Sequence, residues 1–163
     1  MKIQHILFTG LMIFLASCSA FADPGNARIL LTGTNLNMAS PQELTVKNLE
    51  SMFSLVTLDL YNPWEKKTDK YTGFWMTEFV TKLAKPGLRT LNFKAIDNYQ
   101  VDFTEKDWTK FKILIATRVN NQYQPVRHKG PMRLIYADYD SSNIEHELTL
   151  TKWMWMIKKV EFK

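Results

Sequence analysis

The chain has 163 residues, 45% of them hydrophobic and 23% charged, with a formal net charge of +5. That is globular composition, and it excludes a disordered tail, a collagen-like repeat and a multi-span membrane protein. The longest basic clusters, Lys66, Lys67 and Lys70 and then Lys158 and Lys159, are short and interleaved with acids, so no Lys/Arg stripe points to nucleic acid.

Lys2, the apolar run from Ile6 to Ala16 and the small residues Ser17 to Ala20 read as an export signal. A spanning helix needs about 20 apolar residues, so the expectation is cleavage rather than retention. Two cutting sites compete. Leu15, Ala16, Ser17 and Cys18 match a bacterial lipobox, in which Cys18 carries lipid and becomes the new N-terminus; Ala20, Phe21 and Ala22 form a small-x-small site that leaves residues 23–163 as one domain. Either outcome places that domain outside the cytoplasm, in the periplasm or lipid-anchored in the envelope. Cys18 is the only cysteine, so the folded domain holds no thiolate. Cysteine nucleophiles, sulfur-based zinc sites, iron–sulfur clusters and internal disulfides are excluded. Beyond the signal only His128 and His146 remain, too few for a three-histidine metal site.

Arg28 to Gly33 is an apolar run closed by glycine and predicts an opening strand. Thr45 precedes Val46, Leu49 and Met52 or Phe53, a spacing that predicts a short helix capped by Thr45. Ser54 to Tyr61 alternates as a strand does, and Asn62 to Lys70, with Pro63 and dense charge, reads as a wet loop. Gly73 to Lys85 predicts a second helix stopped by Pro86 and Gly87. Leu91 to Asp97 and the run from Val101 to Phe103 predict paired strands around a turn at Asn98 and Tyr99. Lys112 to Thr117 predicts a buried strand, Asn120 and Asn121 a turn, and Met132 to Ala137 a further strand after Gly130 and Pro131. Trp153, Trp155 and Ile157 share one phase of a period-2 pattern and Val160 and Phe162 the other, which predicts a β-bulge at Lys158 and Lys159. The fold class is α+β, mostly strands with a few short helices.

Several blocks resemble the sulfite-oxidase-type molybdopterin-binding domain: Thr57 to Trp64, Tyr71-Thr72-Gly73-Phe74, Ala95 to Tyr99, Ile115 to Arg118, Pro125 to Tyr136, and Trp153 to Val160. Their order covers nearly the whole chain after the signal, and the likeness is greatest to the small, exported, stand-alone members. The resemblance implies a mixed, mostly β core with helices at its sides. It also implies a molybdenum held by the pterin's dithiolene and by one protein cysteine, a soft ligand suited to that metal. An alignment through Val56, Thr57, Leu58 and Asp59 puts Leu60 in the cysteine's place. The resemblance therefore supports the fold and not the chemistry.

Each candidate site has a structural and a functional reading. Gly130 and Pro131 form a turn, and Arg127, His128 and Lys129 before them could cradle an anion; His128 departs from the acidic residue expected there in the small members. Asp97, Asn98 and Tyr99 end a strand where the family's enzymes approach their cofactor, although Asn98 also suits the left-handed backbone of a turn. Asn62 and Trp64 follow the missing cysteine, and Trp64 is either an apolar lid or a ligand platform. Trp153 and Trp155 read as packing. Asp138, Asp140, Glu145 and Glu147 read as a solvated acidic loop, since the glycine and ligand spacing of a calcium loop are missing. No Ser/His/Asp arrangement can be drawn.

The leading expectation is an exported, non-catalytic binding or sensory accessory with no cofactor, its partner an unknown small ligand or, as the resemblance implies, a membrane signalling protein. The alternative is an oxidoreductase that holds a molybdenum–pterin cofactor without a protein thiolate. A third is a structural envelope module whose pocket is filled by side chains such as Leu60 and Trp64.

Overall fold

The computed structural model describes residues 22–163; the expected signal core and Cys18 lie outside the described residues. In chain order the strands are β1 (Arg28–Thr32), β2 (Gln42–Thr45), β3 (Val56–Asn62), β4 (Lys67–Trp75), β5 (Thr90–Ala95), β6 (Gln100–Thr104), β7 (Ile113–Val119), β8 (Gln122–Tyr123), β9 (Arg133–Tyr136) and β10 (Ile157–Phe162). The helices are α1 (Val46–Glu50), α2 (Met76–Leu83), α3 (Glu105–Lys110) and α4 (Ile144–Glu147). Two sheets result, ordered β2-β1-β10-β5-β6 and β3-β4-β7-β8, with β9 also paired to β7. The expected α+β class with a mostly β core is what forms.

α2 joins the two sheets. Its buried Phe79 has ring neighbours on both sides, Phe74 of β4 at 6.0 Å, Phe162 of β10 at 5.6 Å and Phe93 of β5 at 6.4 Å. Phe53 stacks on Phe74 at 4.3 Å. These rings belong to one apolar core, and burial of each contributes on the order of 2–3 kcal/mol.

The Thr45 cap forms, with its hydroxyl accepting from the Asn48 amide at 3.1 Å. The hairpin β5–β6 is present, and the register of β10 against β5 shifts between Ile157 and Lys159, where the bulge is expected. Asn120 and Asn121 both take positive φ, 51° and 65°, the left-handed backbone that a tight hairpin turn requires.

Three expectations need correction. Asn62 to Lys70 is not one loop: β3 and β4 form a hairpin whose turn is only residues 63–66, and the charges of Lys67, Asp69 and Lys70 conceal an alternating strand because that end is wet. The second helix begins at Met76 rather than Gly73. Gly73 lies in β4 against β7, where a Cβ would meet the Ile115 carbonyl oxygen at 2.1 Å, so its glycine serves close strand approach. Trp153 and Trp155 are not in a strand with Ile157. Only Met154 there makes a bridge, to Leu134, and Met156 at φ 55° breaks the extended backbone before β10 starts.

Candidate functional site

At the wet end of the second sheet, three segments meet around an open cavity of about 450 Å³. The first is the β3–β4 turn with the start of β4, contributing Glu65, Lys67 and Asp69. Asn62 organises that turn from below. It is buried, its Oδ1 accepts from the Trp64 and Glu65 amides at 3.0 and 3.3 Å, and its Nδ2 donates to the Tyr71 hydroxyl at 3.3 Å. Asn62 thus fixes where Glu65 and Trp64 sit. The second segment is the β7–β8 hairpin, tied to β4 by Asn120, whose Nδ2 donates to Asp69 Oδ1 at 3.0 Å.

The third segment runs from the 3-10 turn Val126–His128 to β9. Lys129 ends the turn with a left-handed backbone, φ 63°. At Gly130 a Cβ would fall 1.7 Å from the Gln124 carbonyl oxygen, so only glycine fits between turn and strand. Arg127 and His128 are exposed on the rim, as a ligand-binding reading needs.

The cavity floor is an ion cluster centred on Glu65. Its Oε1 accepts from Lys129 Nζ at 2.9 Å and from Arg133 Nη1 at 3.1 Å, while Lys67 Nζ lies 3.8 Å from Oε2. Lys67 also pairs with Asp69 at 2.7 Å. Arg133 is 6% exposed, and its Nη2 donates to the His128 carbonyl oxygen at 2.5 Å, yet its Nε has no partner among the described residues. Burial opposes the ionised form of Glu65, but the Lys129 hydrogen bond and the charges of Arg133, Lys129 and Lys67 outweigh it and hold the carboxyl below its usual range. Asp69 is lowered likewise: burial opposes its charge, and the bonds from Lys67 and Asn120 prevail. Four cationic side chains, those of Lys67, Arg127, Lys129 and Arg133, line the cavity against the two carboxylates of Glu65 and Asp69, an arrangement that attracts anions.

Trp64 is 52% exposed and meets the Trp155 ring edge-to-face at 6.3 Å. Lys129 Nζ lies 4.8 Å from the Trp155 ring centroid. The indole pair therefore borders the ion cluster through Lys129.

Asp97, Asn98 and Tyr99 lie elsewhere and do not line this cavity. Asp97 Oδ1 accepts from the Tyr99 amide at 3.0 Å, Asn98 has φ 72°, and the Tyr99 hydroxyl donates to the Thr151 carbonyl at 2.6 Å. The first two are what the β5–β6 turn needs, and the Tyr99 hydroxyl ties that turn to the segment before β10. Glu65, Lys67, Asp69 and Arg133 were not singled out from the sequence. Lys67 and Asp69 are two apart on β4, a period-2 signal that marks them as one face, whereas Glu65 reaches the cavity from the turn.

No family model matches the chain, and no curated protein matches it in sequence. Among solved structures, 28 chains match. One is the sulfane dehydrogenase SoxCD from Paracoccus pantotrophus, 12% identical, with a TM-score of 0.60 over 86% of this chain and 39% of that one. The fold is sulfite-oxidase-like. This chain thus spans well under half the length of the SoxCD chain it matches.

Leu60, the residue that the resemblance aligns with a metal-binding cysteine, lies on β3. Leu60 stands opposite Asp69 in the β3–β4 ladder, and opposed residues share a sheet face, so Leu60 points to the face that carries the cavity's Asp69 and Lys67. It offers the metal no lone pair. The described residues contain no cysteine and no group of three or more His, Cys, Asp or Glu side chains able to hold a metal ion. The donor set suits an anion and does not suit the metal of that cofactor.

Proposed function

We propose that this chain is an exported, non-catalytic binding or sensory accessory that uses the cationic cavity to hold a small anionic ligand. The observation that carries this reading is the cavity lined by Lys67, Arg127, Lys129 and Arg133, on a sheet face that Leu60, aligned by resemblance with a metal-binding cysteine, also shares. Substrate turnover in this fold would need a metal that these side chains do not grip, whereas anion capture needs only donors already in place. The unpartnered Nε of buried Arg133 supports it. So does the open, polar lining of the cavity itself. The expected partner is a membrane signalling protein that reads the liganded state. In this reading contact with the membrane is made through that partner or through lipid at Cys18; no described helix is long and apolar enough to cross a membrane.

The test is thermal unfolding of the purified full chain in sodium sulfate and in sodium chloride at equal ionic strength. A ligand that binds only the native state raises Tm with concentration. The reading expects a sulfate-specific rise that is lost in Lys129→Met; equal responses to the two salts would refute it. The alternative, an oxidoreductase whose cofactor is held through the pterin alone, draws on the same cations, and molybdenum bound at one per chain would establish it.

A further inference from the structure

The cavity's cations already have a carboxylate among them. Glu65 Oε1 takes both Lys129 and Arg133, at 2.9 and 3.1 Å, while Oε2 has only Lys67 at 3.8 Å. Two oxygens in one plane do not saturate this cluster. Arg133 Nε stays buried and unbonded, and each ammonium has three N–H donors to place. A tetrahedral oxyanion, with four oxygens aimed in different directions, would meet more of these donors than a carboxylate does.

Resting on the anion-binding reading, we propose that Glu65 is a tethered competitor. The cavity's ligand is a tetrahedral oxyanion, and it enters by exchange with the Glu65 carboxylate for Lys129 and Arg133. The local structure permits the exchange. Asn62 holds the Glu65 amide and not its carboxylate, so the side chain can leave by rotating about its own bonds while the turn stays in place. Lys129 and Arg133 have contacts besides Glu65: the Lys129 backbone is fixed by the Met156 amide at 3.3 Å, its Nζ lies 4.8 Å from the Trp155 ring centroid, and Arg133 Nη2 bonds the His128 carbonyl. The cations therefore remain as a preformed site after Glu65 departs. In the resting protein Glu65 keeps buried Arg133 from standing uncompensated, a state that is strongly unfavourable.

The exchange predicts that neutralising Glu65 tightens binding, whereas a merely structural ion pair predicts that it loosens the site. The probe is sodium sulfate, titrated into the full chain at constant ionic strength with chloride as counter-salt. The readout is tryptophan fluorescence, because Lys129 sits over Trp155. Removing one like charge about 4 Å from the incoming anion should tighten apparent Kd in Glu65→Gln by about tenfold or more. Should Glu65→Gln fail to fold, Glu65→Asp withdraws the carboxylate by one methylene and should tighten sulfate by about two- to threefold relative to the native chain. Sulfate binding that is equal or weaker in the variant that folds, with native binding intact, overturns the exchange and leaves the anion-binding reading standing. Absence of saturable binding in the native chain and the variant alike overturns both.

Discussion

Leu60 and Asp69 face each other across the β3–β4 ladder, one apolar and one paired to Lys67 at 2.7 Å. Leu60 is half-buried against the apolar core and does not itself line the cavity, but it shares a sheet face with Asp69 and Lys67, which do. A cysteine there tests how near that face brings position 60 to the cavity. In Leu60→Cys, whose side chain would be half-buried as Leu60 is, we expect the native protein to react with a small mercurial within minutes, and sulfate to slow the reaction. Reaction only after unfolding would show that this position does not open to the cavity.

Glu50 ties α1 to β7 and β8. It is 5% exposed, accepts from Thr117 and from both Arg118 and Tyr123, and removal of its charge leaves Arg118 without its carboxylate. Glu50→Gln should cost about 1–3 kcal/mol of unfolding free energy, measured by urea denaturation at neutral pH.

The same residue sets an acid dependence. Burial opposes the charge of Glu50, but the bonds from Arg118, Thr117 and Tyr123 prevail and lower its pKa. A carboxyl whose native pKa lies below its unfolded value, about 4.3, contributes stability that is fully present above that value. The contribution is lost as pH falls through the native pKa. The urea midpoint should hold steady from neutral pH to about pH 5 and then fall, more steeply in the native chain than in Glu50→Gln. Parallel curves would contradict the assignment.

Phe79 touches rings of both sheets, so Phe79→Ala should remove about 3–5 kcal/mol and lower Tm cooperatively. Gly73→Ala should cost roughly 1–3 kcal/mol through a different cause, displacement of β4 from the Ile115 carbonyl. If Gly73→Ala left the urea midpoint unchanged, the close β4–β7 approach would be disproved.

β3, β5 and β6 were legible from alternation and β7 from its continuous apolar run, which fits a strand buried on both faces. So were devices with local chemistry, the Thr45 cap and the β10 bulge. β4 was not, because its first half borders the wet cavity and carries Lys67, Asp69 and Lys70 where a core strand would carry apolar residues. α3 escaped for the opposite reason: its signal is a capping box, Thr104 with Asp107, rather than an apolar stripe. Of the site, Arg127 and His128 were found because they flank a Gly-Pro turn. Glu65 and Arg133 were not, since their significance comes from a contact between residues 68 positions apart. Asp97 to Tyr99 and the Arg127 segment could be grouped in sequence only through resemblance, and their contacts assign the former to a turn.

The proposed accessory role rests on a sulfite-oxidase-like fold whose described residues include no cysteine. The most direct measurement is elemental analysis of the full-length protein purified from the envelope of cells grown with molybdate, with the cofactor's pterin assayed alongside. The account predicts molybdenum far below one per chain in protein that binds sulfate. Stoichiometric molybdenum together with pterin would contradict it.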